Sequence, residues 1–182
     1  MESKASEEIL TERLLLRRPC HRDAQNIFRS YAGDPAVTRY MNWPTHRSVA
    51  DSWAFLEWSE LEWERWPAGP YLIFRRDAEL RRAIGGTGLL FYSDEKAAVG
   101  YALAQSAWGM GYATEALTAM VDLGRQLALQ ELEAVCHVDH SASARVLEKC
   151  GFRLQGRRAQ KTYFPNAIPE AQAETLLYSL RF

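Results

Sequence analysis

Long apolar runs are missing from this sequence. No stretch approaches the ~18 consecutive apolar residues that a membrane-spanning helix requires, and the opening MESKASEEILTE is polar and acidic, without the apolar segment of an export signal. Neither export nor anchorage is expected. Cysteine is scarce: Cys20, Cys136 and Cys150 are too few and too scattered for a disulfide framework, so a reducing compartment, the cytoplasm, is the expected address. No excess of either charge exists, since 22 Lys and Arg face 23 Asp and Glu for a net charge of −1. Such a balance sets up no global field for nucleic acid or an anionic membrane, and neither is expected as a partner. Internal repeats and low-complexity tracts are absent as well.

What is present is a chain of 182 residues, 47% apolar and 25% charged, with the usage of an ordinary soluble domain. A chain of this length buries roughly 70% of its unfolded surface without staples. One domain over residues 1–182 is expected, as a monomer or homodimer, with residues 1–10 as a flexible N-terminus.

Residues 14–18 read as a first strand stopped by Pro19, which cannot donate to a ladder. Residues 21–32 place Ala24, Ile27, Phe28 and Tyr31 at helical spacing before Gly33 and Asp34-Pro35. Residues 48–66 form a second helix rich in Trp and Glu. Residues 71–74, 84–92 and 97–103 then read as an antiparallel meander, followed by a helix over 111–129, a strand over 133–138, a helix over 141–150, and strands over 152–158 and 175–180. A meander followed by alternation predicts one α/β (α+β) domain, a mixed sheet of about seven strands with helices on both faces.

The stretch LAQSAWGMGYATEALTA, residues 103–119, runs from a strand through Trp108-Gly109-Met110-Gly111 into a helix. Gly109 and Gly111 allow unusual dihedrals and a close ligand approach, while the first helical N–H groups lack partners and the helix dipole adds positive potential. An anion is therefore expected there. On spacing alone the stretch reads equally as a capped loop. A dinucleotide fingerprint lacks its third glycine, and a P-loop lacks its Gly-Lys-Ser/Thr.

WGMGYATEA, preceded by VGYAL and followed by DHSASARVLEKCGF, resembles the acetyl-coenzyme A site of the GNAT acetyltransferases. TERLLLRRP, DPAVTRYMNWP and LLYSLRF resemble the branch containing the ribosomal-protein N-terminal alanine and serine acetyltransferases, so the likeness covers nearly the whole chain. The resemblance implies a mostly antiparallel sheet splayed between its fourth and fifth strands, here residues 97–103 and 133–138. Pantetheine would lie in the gap along Leu103 and Ala104, and the phosphates on Trp108, Gly109, Met110, Gly111, Tyr112, Ala113 and Thr114. Trp108 stands where the family signature has Gln or Arg. A backbone N–H of Leu103 or Ala104 would face the thioester oxygen.

Three positions depart from the family pattern. His140 replaces the usual Asn and is expected as a coenzyme contact, or reads as an exposed helix-start histidine. Leu147 stands where many members have a proton-donating tyrosine, which passes that role to Ser143 as general acid or thiolate donor, unless Ser143 is an ordinary helical serine. Ala98 stands where relatives often carry a glutamate, leaving Asp94, Glu95, Glu133, Asp139 and Glu174 as undistinguished candidates for the base.

Tyr101 and Tyr112 would flank the cleft, or pack. Trp43, Trp53, Trp58, Trp63 and Trp66 would wall the acceptor side; core packing or a dimer surface explains them equally. The basic block from Arg153 to Lys161, with Arg157 and Arg158, reads first as a solvated strand face and second as a contact for coenzyme phosphate. Residues 164–169 read as a lid loop. Cys136 and His137 fall on opposite faces of a strand, so no metal is expected, and all three cysteines read as structural. The expectation is acetyl transfer from acetyl-CoA to a primary amine in a ternary complex. A protein N-terminal amine is the first acceptor, a small drug- or toxin-like amine the second; a non-catalytic coenzyme-A-binding module is the rival from another class.

Overall fold

The computed structural model describes residues 4–78, 82–158, 162–166 and 171–182, the side chains of 171–173 excepted. A sheet of eight strands runs in the order β1-β2-β3-β4-β5-β6-β10-β7. Its members are β1 (Glu8–Leu10), β2 (Leu14–Arg17), β3 (Pro70–Arg75), β4 (Ala83–Ser93), β5 (Lys96–Leu103), β6 (Glu131–His137), β7 (Arg153–Arg157) and β10 (Thr175–Arg181). A separate antiparallel ribbon joins β8 (Thr162–Phe164) to β9 (Ala171–Ala173). Every pairing in the main sheet is antiparallel except β5 with β6.

Two apolar layers follow from strand alternation. Leu14, Leu16, Tyr71, Ile73 and Val99 face one core, and Leu15, Leu72, Phe74 and Ala102 face the other. The first layer is covered by α4 (Tyr112–Gln126) and α5 (Ser141–Lys149). Ala116, Leu117, Met120, Val121 and Leu123 form the buried stripe of α4, at the three-to-four spacing a core-facing helix needs. The second layer is covered by α1 (Ala24–Ile27), α2 (Pro35–Thr38) and α3 (Val49–Arg65). A 3-10 turn precedes α1, and a π-helical turn over Phe28–Ala32 follows it, closed by the Gly33 N–H reaching back to the Phe28 carbonyl at 3.0 Å. Asp51 stabilises the start of α3, its Oδ2 accepting from the Arg47 and Ser48 N–H groups at 2.8 and 2.9 Å.

Two expectations change. The sheet has eight strands rather than about seven, because residues 8–10, assigned to a flexible N-terminus, pair with β2 from Glu8↔Arg17 to Leu10↔Leu15. The chain before that strand is tied down too, the Ala5 N–H donating to the Pro67 carbonyl at 2.8 Å. Three alternating residues, too few to show a periodicity, are held by a partner strand rather than by local propensity.

Candidate active site

The sheet opens between β5 and β6. These parallel neighbours pair only at Lys96↔Glu131, Ala97↔Leu132 and Ala98↔Glu133, after which β5 continues beside β4 while β6 stays paired with β10 as far as His137↔Thr175. Backbone groups of a strand alternate sides, and the Ala104 N–H donates to the Ile84 carbonyl at 2.8 Å, so the amides of Val99, Tyr101 and Leu103 turn toward the gap. Ala104 is thereby removed as a donor to a ligand, and Leu103 remains. The Leu103 carbonyl accepts from the Trp108 indole N–H at 2.7 Å. Trp108 thus ties the loop before α4 to the end of β5, a role no Gln or Arg at that position is needed to fill.

That loop is left-handed at two positions, with φ of +75° at Gly109 and +80° at Gly111, a region that side chains other than glycine enter at a cost. A Cβ at Gly109 meets nothing within 4 Å, so backbone conformation rather than crowding demands glycine there. Trp108 to Gly111 are exposed, and Tyr112, Ala113 and Thr114 supply the first N–H groups of α4. Arg13 and Glu115 fix the helix start, a pair that spacing did not reveal because 102 residues separate them. Glu115 accepts from the Thr11 hydroxyl at 2.6 Å, the Arg13 N–H at 2.8 Å and the Arg13 guanidinium at 2.7 Å. Burial alone would raise the Glu115 carboxyl, but these donors outweigh it and hold it below the ordinary glutamate range. Arg13 also donates to the Met110 carbonyl at 2.9 Å and lies over the Tyr112 ring. Tyr112 itself is a core residue, 8% exposed, so it packs rather than lining the cleft.

Across the gap, the Tyr101 hydroxyl lies 3.0 Å from Ser143 Oγ and 3.3 Å from the Ser143 carbonyl, joining β5 to α5. Desolvation pushes the Tyr101 phenol far above its ordinary value, and it stays protonated at every physiological pH. Leu147 is fully buried in the core below. His140 caps α5, and its ring stacks on Tyr40 at 4.7 Å; His137 meets the same Tyr40 ring at 5.0 Å and the Phe164 ring at 4.9 Å. Cys136 lies in the α4 core and its desolvated thiol is raised to about 11, an unreactive setting, whereas Cys20 is exposed.

The carboxylates proposed as bases disperse. Glu133 pairs with Lys96 at 2.7 Å at the closed end of the gap, Asp94 and Glu95 occupy the β4–β5 turn at that same end, and Glu174 is bonded to Arg157. Asp139 remains, exposed, its oxygen 3.7 Å from His137 Nδ1. The tryptophans disperse as well. Trp63 is buried and donates to the Pro70 carbonyl at 2.9 Å, Trp66 stacks on Phe91, and Trp53 and Trp58 are exposed on α3. Trp43 packs on the second apolar layer, lies against His46, and accepts through its carbonyl from Asn166 at 2.8 Å. Of the lid loop, residues 167–169 lie outside the described residues, as do residues 159–161 of the basic block. Among the described residues, no three His, Cys, Asp or Glu are grouped to hold a metal, and no helix is long and apolar enough to cross a membrane.

Residues 13–153 match the family described as the acetyltransferase (GNAT) domain. The chain belongs to the GNAT acetyltransferases. It is 30% identical over 176 residues to the uncharacterised N-acetyltransferase YoaA of Bacillus subtilis, covering 93% of this chain and 94% of that one. It is 28% identical over 152 residues to the N-acetyltransferase p20 of Bacillus licheniformis, covering 82% and 84%. Among solved folds, RimL, a ribosomal L7/L12 α-N-protein acetyltransferase in complex with coenzyme A, superposes with a TM-score of 0.82 at 22% identity over 97% of this chain and 98% of that one. The microcin C7 self-immunity acetyltransferase MccE, in complex with acetyl-CoA and AMP, gives 0.81 at 19% identity over 94% of each. This GNAT chain is thus an acyltransferase with the open, mostly antiparallel sheet of its family.

Proposed function

We propose that this chain transfers acetyl from acetyl-CoA to a primary amine, with both substrates bound together. The observation that carries the reading is the conjunction of the β5–β6 gap with a left-handed, exposed glycine loop at the start of α4. The residues fit the coenzyme: the loop at Gly109 is exposed and uncrowded, the amides at the head of α4 are donors, and each charge-assisted bond contributes roughly 1.5–3 kcal/mol. Leu103 and Tyr101 offer edge backbone to the amides of pantetheine, pairing as a strand would. When bound, acetyl-CoA supplies an acetyl group activated as a thioester.

The residues of this chain then divide the work. The Leu103 N–H, turned into the gap, is the donor for the oxygen that develops negative charge. Tyr101 donates to Ser143 Oγ and so turns the serine O–H outward, where it hydrogen-bonds the departing sulfur. Positioning supplies the larger share, since oriented reactants reach effective molarities of about 10⁵–10⁸ M against about 10²–10⁴-fold for general acid–base help.

The favoured acceptor is a protein N-terminal amine, supported by the resemblance of TERLLLRRP and LLYSLRF to the ribosomal-protein branch and by likeness to RimL. A small amine is the second reading, supported by likeness to the microcin C7 self-immunity acetyltransferase MccE. The Tyr101–Ser143 pair argues against a purely coenzyme-binding module. Calorimetry with acetyl-CoA, followed by thiol release with N-terminal peptides and amine metabolites, tests the proposal. Binding with turnover is expected; binding without turnover on any amine would leave the module instead.

A further inference from the structure

Acetyl transfer from a protonated amine needs a base, and the geometry points to one. We infer that His140, resting on the Tyr40 ring at the mouth of the β5–β6 gap, takes the proton from the acceptor ammonium. This inference rests on the transferase reading above. Three observations carry it. Of the alternative carboxylates, Asp94, Glu95, Glu133 and Glu174 are tied up or lie at the closed end or elsewhere, and Asp139 is exposed beside His137. His140 stands one helical turn before Ser143, so the two polar groups share one end of α5. The ring is half-buried and held flat against Tyr40 at 4.7 Å, an orientation fixed without consuming a ring nitrogen in that contact.

The surroundings favour the neutral imidazole. Burial lowers the affinity of His140 for a proton, and nearby His137 lowers it further. Arg39 lies over the opposite ring partner, its guanidinium 5.2 Å from the Tyr40 centroid, and adds positive charge to the same group. Asp139 opposes these, but it is 75% exposed and sits against His137. Tyr101 and Ser143, from β5 and α5, are neutral.

The proton balance closes. One ammonium N–H proton passes to the imidazole; the freed lone pair forms the C–N bond as the C–S bond breaks. The sulfur keeps that electron pair and receives a second N–H proton through the Ser143 hydroxyl. The imidazolium returns its proton to water.

His140→Asn tests the assignment, because an amide retains hydrogen bonding without basicity. The amine probes are phenethylamine, strongly basic, and methoxyamine, already deprotonated at neutral pH. In the variant, kcat/KM for phenethylamine should fall about 100-fold and lose its acid limb, methoxyamine should stay within about threefold, and coenzyme A affinity by calorimetry should be nearly unchanged. In NMR titrations His140 should lose its proton at a pH below the ordinary histidine range. Equal loss on both amines, an acid limb of unchanged midpoint, or His140 titrating at or above the ordinary histidine range overturns the base. A wild type that binds acetyl-CoA yet turns over no N-terminal peptide and no amine overturns the transferase reading as well.

Discussion

In the proposed reading the backbone at Gly109 and Gly111, not a side chain, is what binds the coenzyme, and that makes these positions sensitive to small changes. Gly109→Ala has room for its methyl group but must hold φ near +75°, a strain of about 1–2 kcal/mol. Coenzyme A affinity should fall about tenfold in calorimetry with the circular dichroism unchanged. Gly111→Asp adds a carboxylate among the amides proposed to face phosphate and should abolish binding; retained affinity would contradict the assigned loop. Ser143→Ala and Tyr101→Phe belong together. Each removes one link of a chain that ends on a thiolate, worth about 1.5–3 kcal/mol, so each should reduce kcat about 10–100-fold with little change in coenzyme KM. Because they act in series, the double variant should be no worse than the poorer single one. Additive losses would show that Tyr101 only packs.

At the scale of one element, α4 depends on a contact with the other end of the chain. Its first turn carries Glu115, and the donors that satisfy it come from residues 11 and 13, in and beside the β1–β2 hairpin. The folded-state carboxyl titrates below its unfolded value, so its stabilisation is present above the ordinary glutamate range and is lost as pH falls through the folded value. Glu115→Gln should therefore lower the denaturant midpoint at pH 7 by the equivalent of about 1–3 kcal/mol, and the gap to wild type should narrow on acidification. A gap constant with pH would mean that the ion pair is not the cause. In α3 the element scale explains why tryptophans with one apparent role have several. Trp63 falls on the buried stripe with Ser52, Leu56 and Ser59, whereas Trp53 and Trp58 fall outside it.

Over the whole molecule, Asn166 links parts that the chain order keeps apart. Its amide donates to the Thr38 and Trp43 carbonyls at 2.7 and 2.8 Å and accepts from the Thr45 N–H at 2.7 Å, joining the β8–β9 ribbon to the loop after α2. Asn166→Ala should raise the KM of the acceptor more than that of acetyl-CoA and speed hydrogen exchange in residues 38–46; equal KM changes would place the tie outside the acceptor side.

The sequence by itself determined the layers, because period-two and period-3.6 apolar patterns encode which face of each element is dry, and it determined the glycine loop, because only glycine enters that conformation freely. Strand β1 escaped notice because three residues show no period. The Tyr40–His140 stack, the Arg13–Glu115 pin, the loss of the Ala104 amide to Ile84 and the dispersal of the carboxylates were decided by tertiary structure alone. Each depends on which distant groups meet, and a local pattern constrains a residue's face but not the partner that packing brings to it.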